Sequence, residues 1–200
     1  MELATHGNTP SDKLCREGVQ HFREQRVQEA EAKFKESLAI DKNHLGSLNA
    51  LALLRCEQED HVSTKELYTR ALAAFPDHPE TLFNFAAYNQ LRLGDTTLCE
   101  KLYLRALDVE PKQVNCLFNL AALYNSKQEF VKCFDTYKKI LRIEPRHVDS
   151  MCNCGQLLQA TFNDAEMAEA MYKKALETNC WFALGRSFMM WICIYQYTST

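Results

Sequence analysis

The chain repeats itself with a period of about 34 residues, and this period constrains its fold more than any other feature. The segment Leu82–Ala87 returns as Leu117–Ala122, at an offset of 35 residues. Prolines close three successive segments at Pro76, Pro111 and Pro145, with offsets of 35 and 34. Repetition at this spacing predicts small supersecondary modules that stack, because one module alone cannot bury its apolar face.

Each period contains two stretches in which apolar residues recur every three or four positions. In the segment 114–147 the first stretch presents Leu117, Leu120, Ala121 and Tyr124, and the second presents Cys133, Tyr137, Ile140 and Leu141. This spacing is typical of α-helices and predicts two helices joined by a turn near residues 126–129. Small Ala121 allows the helices to approach closely, and large Tyr137 fills the space opposite. Only six glycines and five prolines are present, too few for a sheet with many tight turns.

The spacing, the small residue and the closing proline together resemble the tetratricopeptide repeat. The resemblance covers five segments, which are 11–44, 45–78, 79–113, 114–147 and 148–182. It implies an all-α fold, a right-handed α-solenoid of tandem antiparallel helix hairpins. The first segment is the most polar and lacks the closing proline, as expected of a terminal repeat that faces water. Residues 1–10 have no apolar period, and we expect them to be disordered.

The C-terminal residues are apolar but do not keep the period. Trp181, Leu184, Gly185 and Phe188 match the opening of a repeat, yet they begin too early. Three interpretations remain open: a sixth first helix in a shortened register, an apolar capping helix over residues 183–200, or an atypical, non-native C-terminus. The stretch Trp181–Tyr195 is shorter than the ~20 residues of a membrane span and contains Arg186, so we expect no membrane span.

Charge and cysteine usage exclude several classes of function. The formal net charge is −3, which offers no field for polyanions, so nucleic acid and anionic membranes are poor candidates for a partner. The nine cysteines form no regular framework, which predicts reduced thiols. The N-terminus lacks the pattern of a signal peptide. We therefore expect a cytoplasmic protein, with the nucleus and the cilium as alternatives.

Nothing in the sequence indicates an active site, a cofactor or a metal site. Cys152 and Cys154 are two apart, so their sulfurs would diverge by about 200° on a helix and could not share an ion. His44, His78 and His147 recur at the ends of segments, where we interpret them as residues of the loops between repeats. No phosphate-binding loop, nucleophile elbow or pair of catalytic carboxylates is present.

The first helices of such an array line its concave side, and this is where we expect a partner to bind. The predicted contact residues are Phe83, Asn84, Phe118, Asn119, Asn153 and Gln156. The three asparagines occupy the same place in three consecutive repeats. They resemble the asparagine ladder in the repeat domain of the O-linked N-acetylglucosamine transferases, where side-chain amides hold the backbone of an extended peptide. An amide suits this role because it both donates and accepts hydrogen bonds. Alternatively, each asparagine bonds a neighbouring first helix.

The sequence therefore predicts a non-enzymatic adaptor that binds an extended peptide or a partner helix. A carboxylate clamp for chaperone tails is not expected, because it requires lysine or arginine at fixed positions of three successive first helices. Those positions are occupied by Asn49, Asn115 and Asn119 in one alignment and by Phe83, Asp149 and Asn153 in another. Two alternatives remain: a targeting segment or truncated form of a larger enzyme of the glycosyltransferase type, and a structural subunit of a large assembly of the ciliary-transport or cell-cycle-ligase type. The sequence does not fix the partner's identity, the pathway or the oligomeric state.

Overall fold

A computed structural model describes residues 9–178, and in this range the chain is built from ten α-helices and one short π-helix, without strands. The prediction of an all-α fold is confirmed. The chain divides into two compact units, Met1–Val109 and Glu110–Thr200, which we call the N-terminal and C-terminal units. The predicted capping helix or atypical tail at 183–200 lies outside the described residues.

The N-terminal unit contains three helical hairpins. Its helices are α1 (Pro10–Arg23), α2 (Val27–Ile40), α3 (Leu45–Glu57), α4 (His61–Ala74), α5 (Pro79–Tyr88) and α6 (Thr96–Val109). A π-helical turn, Asn89–Leu93, extends α5. Arg55 of α3 ties the first two hairpins together by donating to Glu31 of α2, and this bond holds the pKa of the Glu31 carboxyl below its ordinary value.

The C-terminal unit contains two more hairpins. Its helices are α7 (Val114–Ser126), α8 (Phe130–Ile143), α9 (Val148–Ala160) and α10 (Ala165–Thr178). The core around α9 and α10 includes Met151, Leu158 and Tyr172. Phe134 and Leu141 of α8 pack against this core and join the two hairpins.

Every hairpin has a small residue on its first helix and a buried aromatic ring on its second. The small residues are Gly18, Ala52, Ala86, Ala121 and Gly155, and the rings are Phe34, Tyr68, Tyr103, Tyr137 and Tyr172. A Cβ on Gly155 would lie 2.5 Å from Cε1 of Tyr172, closer than atoms can approach, so this ring requires a glycine. The same holds for Gly18, where a Cβ would lie 2.6 Å from Cε1 of Phe34.

Histidines cap three of the first helices, a role that the sequence analysis missed. Nδ1 of His44 accepts a hydrogen bond from the backbone N–H of Ser47, and His78 and His147 do the same for Thr81 and Ser150. Each bond satisfies one of the backbone donors that a helix N-terminus leaves unpaired. The recurring histidines are therefore helix caps as well as loop residues.

The hairpin turns show where the two longer repeats place their extra residue. The three shorter turns use one residue in the left-handed region, at Gln25, Glu59 and Gln128. In the repeat 79–113 the extra residue widens the end of the first helix into the π-helical turn, which ends where the Gly94 N–H donates to the carbonyl of Asn89. In the repeat 148–182 the turn passes through Asn163, also in the left-handed region.

Helix α1 begins at Pro10, one residue before the predicted start of the first repeat. Thr9 caps α1 by accepting from the backbone N–H of Asp12, whose carboxylate accepts in return from the N–H of Thr9. Pro10 then occupies the first helical position, which its fixed backbone angle suits. The expected disorder over residues 1–10 is therefore wrong for Thr9 and Pro10, and residues 1–8 lie outside the described range.

Candidate functional site

A cavity of about 580 Å³ in the C-terminal unit contains two of the predicted contact residues, Asn153 and Gln156. Helix α9 supplies these side chains, α8 supplies one wall, and Asn125 closes the cavity from the end of α7. The full lining is Asn125, Phe130, Cys133, Tyr137, Asn153, Gln156, Leu157, Ala160 and Thr161. None of these side chains carries a charge at neutral pH, so the cavity combines amides and hydroxyls with apolar walls.

Tyr137 fixes the orientation of Asn153. Nδ2 of Asn153 donates to the Tyr137 hydroxyl at 3.0 Å, across the boundary between α8 and α9. The Tyr137 side chain is only 4% exposed, and burial raises the pKa of its hydroxyl above the ordinary value, so the group stays neutral. The bond leaves the Asn153 carbonyl oxygen and its second N–H for another partner. The amide is therefore held in place before any ligand arrives.

Phe118 and Asn119 belong to the same unit but have different surroundings. The Phe118 ring lies 5.7 Å from the ring of Tyr137 and 5.6 Å from that of His147, measured between centroids. It is only partly buried, so it supports Tyr137 and keeps some exposed apolar surface. Asn119 is also partly exposed, and its side chain has no hydrogen-bond partner among residues 9–178. An amide without a partner is suited to bind an incoming peptide group.

Phe83 and Asn84 lie in the N-terminal unit, so the predicted contact set is divided between the two units. The Phe83 ring lies 6.2 Å from that of Tyr103. Asn84 is partly buried and has no side-chain hydrogen bond to any described residue. It stands 16 residues after Tyr68, as Asn153 does after Tyr137, yet it forms no equivalent bond.

The last four repeats each place a tyrosine at the buried aromatic position of the second helix, and the hydroxyl groups of these tyrosines have different surroundings. Tyr103 and Tyr172 donate within their own hairpins, to Gln90 at 2.8 Å and to Gln159 at 3.4 Å. Tyr137 bonds Asn153 of the following first helix. The hydroxyl of Tyr68 is buried without a partner among the described groups. Only at Tyr137 does the hydroxyl border the cavity.

Asn49 shows that an asparagine on a first helix can also be structural. Its Nδ2 donates to Oγ1 of Thr81 at 2.7 Å, and that hydroxyl in turn donates to its Oδ1 at 3.0 Å. Both residues are buried, so this pair joins α3 to α5 and offers nothing to a ligand. The alternative interpretation of the asparagines, a bond to a neighbouring first helix, thus applies to Asn49.

An aspartate, a histidine and a serine are linked in the N-terminal unit, in an order familiar from hydrolases. Nε2 of His44 lies 3.0 Å from Oδ1 of Asp12, and its Nδ1 lies 2.9 Å from Oγ of Ser47. The bond from His44 holds the pKa of the Asp12 carboxyl below its ordinary value. Ser47 is fully buried and donates to Ser37, so no substrate can reach its hydroxyl. We interpret the group as a partly buried network that caps α3.

The described cysteines are free thiols that fill space in the core. Burial raises the pKa of Cys133 to about 11 and that of Cys154 to about 12. Cys152 is 9% exposed and packs, like Met151, in the core of α9 and α10. Over residues 9–178 no group of three or more potential metal ligands is present.

A larger recess of about 690 Å³ lies along the outer face of α4. Val62 and Leu93 line it and are 70% and 44% exposed. It contains none of the predicted contact residues, and its polar groups are mostly charged, such as Lys65 and Arg70. The cavity beside Asn153 is therefore the better candidate for a specific site. None of the helices described here is both long enough and apolar enough to cross a membrane.

Comparison with known proteins identifies the fold. No protein-family model and no curated protein sequence matches the chain. Solved structures do match it. The structure of MamA is similar with a TM-score of 0.73 and 18% identity, over 88% of this chain and 98% of that one. PilF of Pseudomonas aeruginosa matches with a TM-score of 0.76 and 16% identity, over 84% of this chain and 76% of that one.

A third match is YrrB, a tetratricopeptide-repeat protein with an unusual peptide-binding site. Its TM-score is 0.69 at 15% identity, over 88% of this chain and 90% of that one. At such low identities the likeness establishes a fold and not a function. The chain therefore has the fold of the tetratricopeptide-repeat proteins.

Proposed function

We propose that the protein is an adaptor that binds an extended peptide through the C-terminal unit, with the cavity beside Asn153 as the main contact. The observation that carries this proposal is the uncharged cavity of about 580 Å³ in which Asn153 is already oriented by Tyr137. A group that is held in its binding geometry loses less conformational freedom when a ligand arrives.

The lining indicates the kind of peptide that fits. Phe130, Leu157 and Ala160 provide apolar walls, and Asn125, Asn153 and Gln156 provide amides. An apolar side chain of the peptide would fill the cavity, and the amides would bond the peptide backbone on either side. A charged side chain is disfavoured, because no lining residue could neutralise it and its desolvation would be unfavourable. We therefore expect an uncharged core in the bound segment.

The other predicted contacts offer similar groups in each unit. Phe118 and Asn119 add a partly exposed ring and an unpaired amide in the C-terminal unit. Phe83 and Asn84 offer the same pair of groups in the N-terminal unit. The two alternatives, a segment of a larger enzyme and a subunit of a large assembly, depend mainly on residues 181–200, which lie outside the described range.

A peptide library displayed on phage and selected on the full chain tests the proposal. Affinities of the selected peptides would be measured for the wild type and for the double variant Asn153→Ala/Gln156→Ala. Two amide bonds at about 1 kcal/mol each predict a loss of roughly 30-fold.

The matched control is Lys173→Ala/Lys174→Ala, which changes two exposed residues of α10 outside the cavity. It should bind like the wild type. Circular dichroism would show that every variant is folded. Peptides that bind the Asn153/Gln156 variant as tightly as the wild type would rule out this cavity as the site.

A further inference from the structure

Helix α8 is unusually basic on its outer face. It carries Lys132, Lys138, Lys139 and Arg142 against a single acidic residue, Asp135. The equivalent helix of the next hairpin, α10, carries three acidic and two basic residues. The excess of positive charge is therefore a local property of α8, in a chain whose net charge is −3.

The basic side chains border a recess of about 340 Å³ between α7 and α8. Its lining is Tyr124, Lys132, Asp135, Thr136, Lys138, Lys139 and Arg142. Lys132 pairs with Glu129 at 2.6 Å, and Lys138 pairs with Asp135 at 3.9 Å. Lys139 and Arg142 have no ion pair with any residue in the range 9–178. The recess thus contains two cations whose charge no described residue neutralises.

We propose that this basic recess of α8 is a second binding surface, which takes a segment of a partner protein rich in aspartate and glutamate. Lys132 and Lys139 are seven residues apart, about 10 Å along the helix axis, and Arg142 follows about 4.5 Å further on. Charges spread along a line in this way match several carboxylates on one chain. A single phosphate group would require the cations to converge on one point.

The exposed side chain of Val131 indicates that the partner segment also carries an apolar residue. It is 65% exposed and lies seven residues before Lys138, so both residues point to nearly the same side of α8. An acidic segment that also carries an apolar residue would cover it. Nucleic acid fits less well, because the basic side chains span only about 15 Å and binding to DNA commonly engages roughly six to ten phosphates.

The two proposed surfaces lie on opposite faces of α8. The cavity uses Phe130 and Tyr137, whereas the basic recess uses Lys139, which is rotated from Phe130 by about 180° around the helix. Ligands on the two faces would not collide. The surfaces would let the protein hold an uncharged segment of one partner and an acidic segment of another at the same time, which is how an adaptor joins two proteins.

Fluorescence anisotropy on the full chain tests the basic recess independently of the cavity. The probe is a labelled short peptide in which glutamates alternate with leucine and serine, and its reference has glutamine in place of every glutamate. The Lys139→Glu/Arg142→Glu variant should bind the acidic peptide at least about tenfold more weakly, because reversed charges repel it. Raised salt should weaken binding by the wild type, since exposed charges are screened.

The matched control is Lys173→Glu/Lys174→Glu on α10, where Lys174 occupies the position equivalent to Lys139. It should change the affinity by less than about twofold, the effect of distant surface charges. The Asn153→Ala/Gln156→Ala variant should bind the acidic peptide like the wild type, which separates this surface from the proposed function.

Three results would overturn the proposal. One is an equal loss of affinity for the acidic peptide in the Lys173→Glu/Lys174→Glu control, which would show that binding depends only on the total charge of the protein. Another is binding of the glutamine peptide as tight as that of the acidic peptide. The last is the absence of acidic-peptide binding in a protein that does bind a phosphoserine peptide or phosphatidylserine vesicles.

Discussion

Tyr68 and Tyr137 occupy the same place in their repeats, but their hydroxyl groups have different surroundings. Both rings are buried, with exposed fractions of 0% and 4%. The hydroxyl of Tyr68 has no partner among the described groups, whereas that of Tyr137 accepts from Asn153 and borders the cavity. The repeat therefore fixes where the ring lies, and the following first helix decides whether its polar end becomes part of a site.

Removing either ring should have the largest effect and should not distinguish the two regions. Tyr68→Ala and Tyr137→Ala are each expected to lower the free energy of unfolding by about 3–5 kcal/mol, because a large buried side chain is lost. Urea denaturation followed by circular dichroism measures this change. The shared role of the ring would be refuted if one variant lost much less stability than the other.

Removing only the hydroxyl groups should change stability differently at Tyr68 and at Tyr137. Tyr137→Phe deletes the acceptor of Asn153 and should cost about 0.5–1.5 kcal/mol of stability. Tyr68→Phe removes a buried hydroxyl that has no described partner, so stability should stay the same or rise. The same urea titrations measure both effects.

A pair of double-mutant cycles gives the control. Combining Tyr137→Phe with Asn153→Ala should show a coupling of about 1 kcal/mol, and combining Tyr68→Phe with Asn84→Ala should show almost none. Equal couplings would mean that Asn84 bonds Tyr68 in solution, and the contrast between the regions would disappear.

The smallest expected effect is a difference in alkaline sensitivity. Burial raises the pKa of Cys116 to about 12, of Cys133 to about 11 and of Cys154 to about 12, all in the C-terminal unit. In the N-terminal unit it raises the pKa of Cys99 to about 11 and, less strongly, that of Cys15. Burial also raises the pKa of Tyr68 and Tyr88 in the N-terminal unit and of Tyr137 in the C-terminal unit, so the thiols make the difference between the units. A thiol that is harder to ionise in the folded protein stabilises the fold below its ordinary pKa of 9.0, and this stabilisation is lost as the pH rises toward 11 or 12.

Limited proteolysis at increasing pH, with cleavage sites read by mass spectrometry, should therefore show that the C-terminal unit opens first. Cys133→Thr, which copies the buried Thr64 of the second repeat, should delay this opening. Earlier cleavage in the N-terminal unit would contradict the expectation that the buried thiols make the C-terminal unit more sensitive to alkali.

The sequence predicted the helical hairpins because their determinants are local and repeated. The small residue facing an aromatic ring, as at Ala121 and Tyr137, follows from spacing alone. Helix caps were harder to predict. By residue type Asp77 is a better cap for α5 than His78, yet it pairs with Arg105 at 3.1 Å and His78 is the cap. The choice between two adjacent polar residues depends on side-chain geometry, which no periodicity encodes.

The candidate site could be predicted only in part. Asn153 and Gln156 were identified from their place in the repeat, and the structure places both in one cavity. That this cavity binds a peptide stays a prediction. The bond between Asn153 and Tyr137 was not predicted, since Asn84 and Tyr68 have the same spacing in sequence and do not form it. Side-chain pairing across helices depends on packing that neighbouring repeats do not share.

The π-helical turn Asn89–Leu93 makes the length of its hairpin adjustable. It absorbs one extra residue at the end of α5, while Phe85 and Ala86 before it and Tyr103 after it keep the burial of their counterparts in other repeats. Leu91, 80% exposed at the middle of the turn, makes little contribution to the core. Residues can therefore be added beside Leu91 with little disturbance of the interior, and a protein engineer can choose this point to insert an epitope or a fluorescent label.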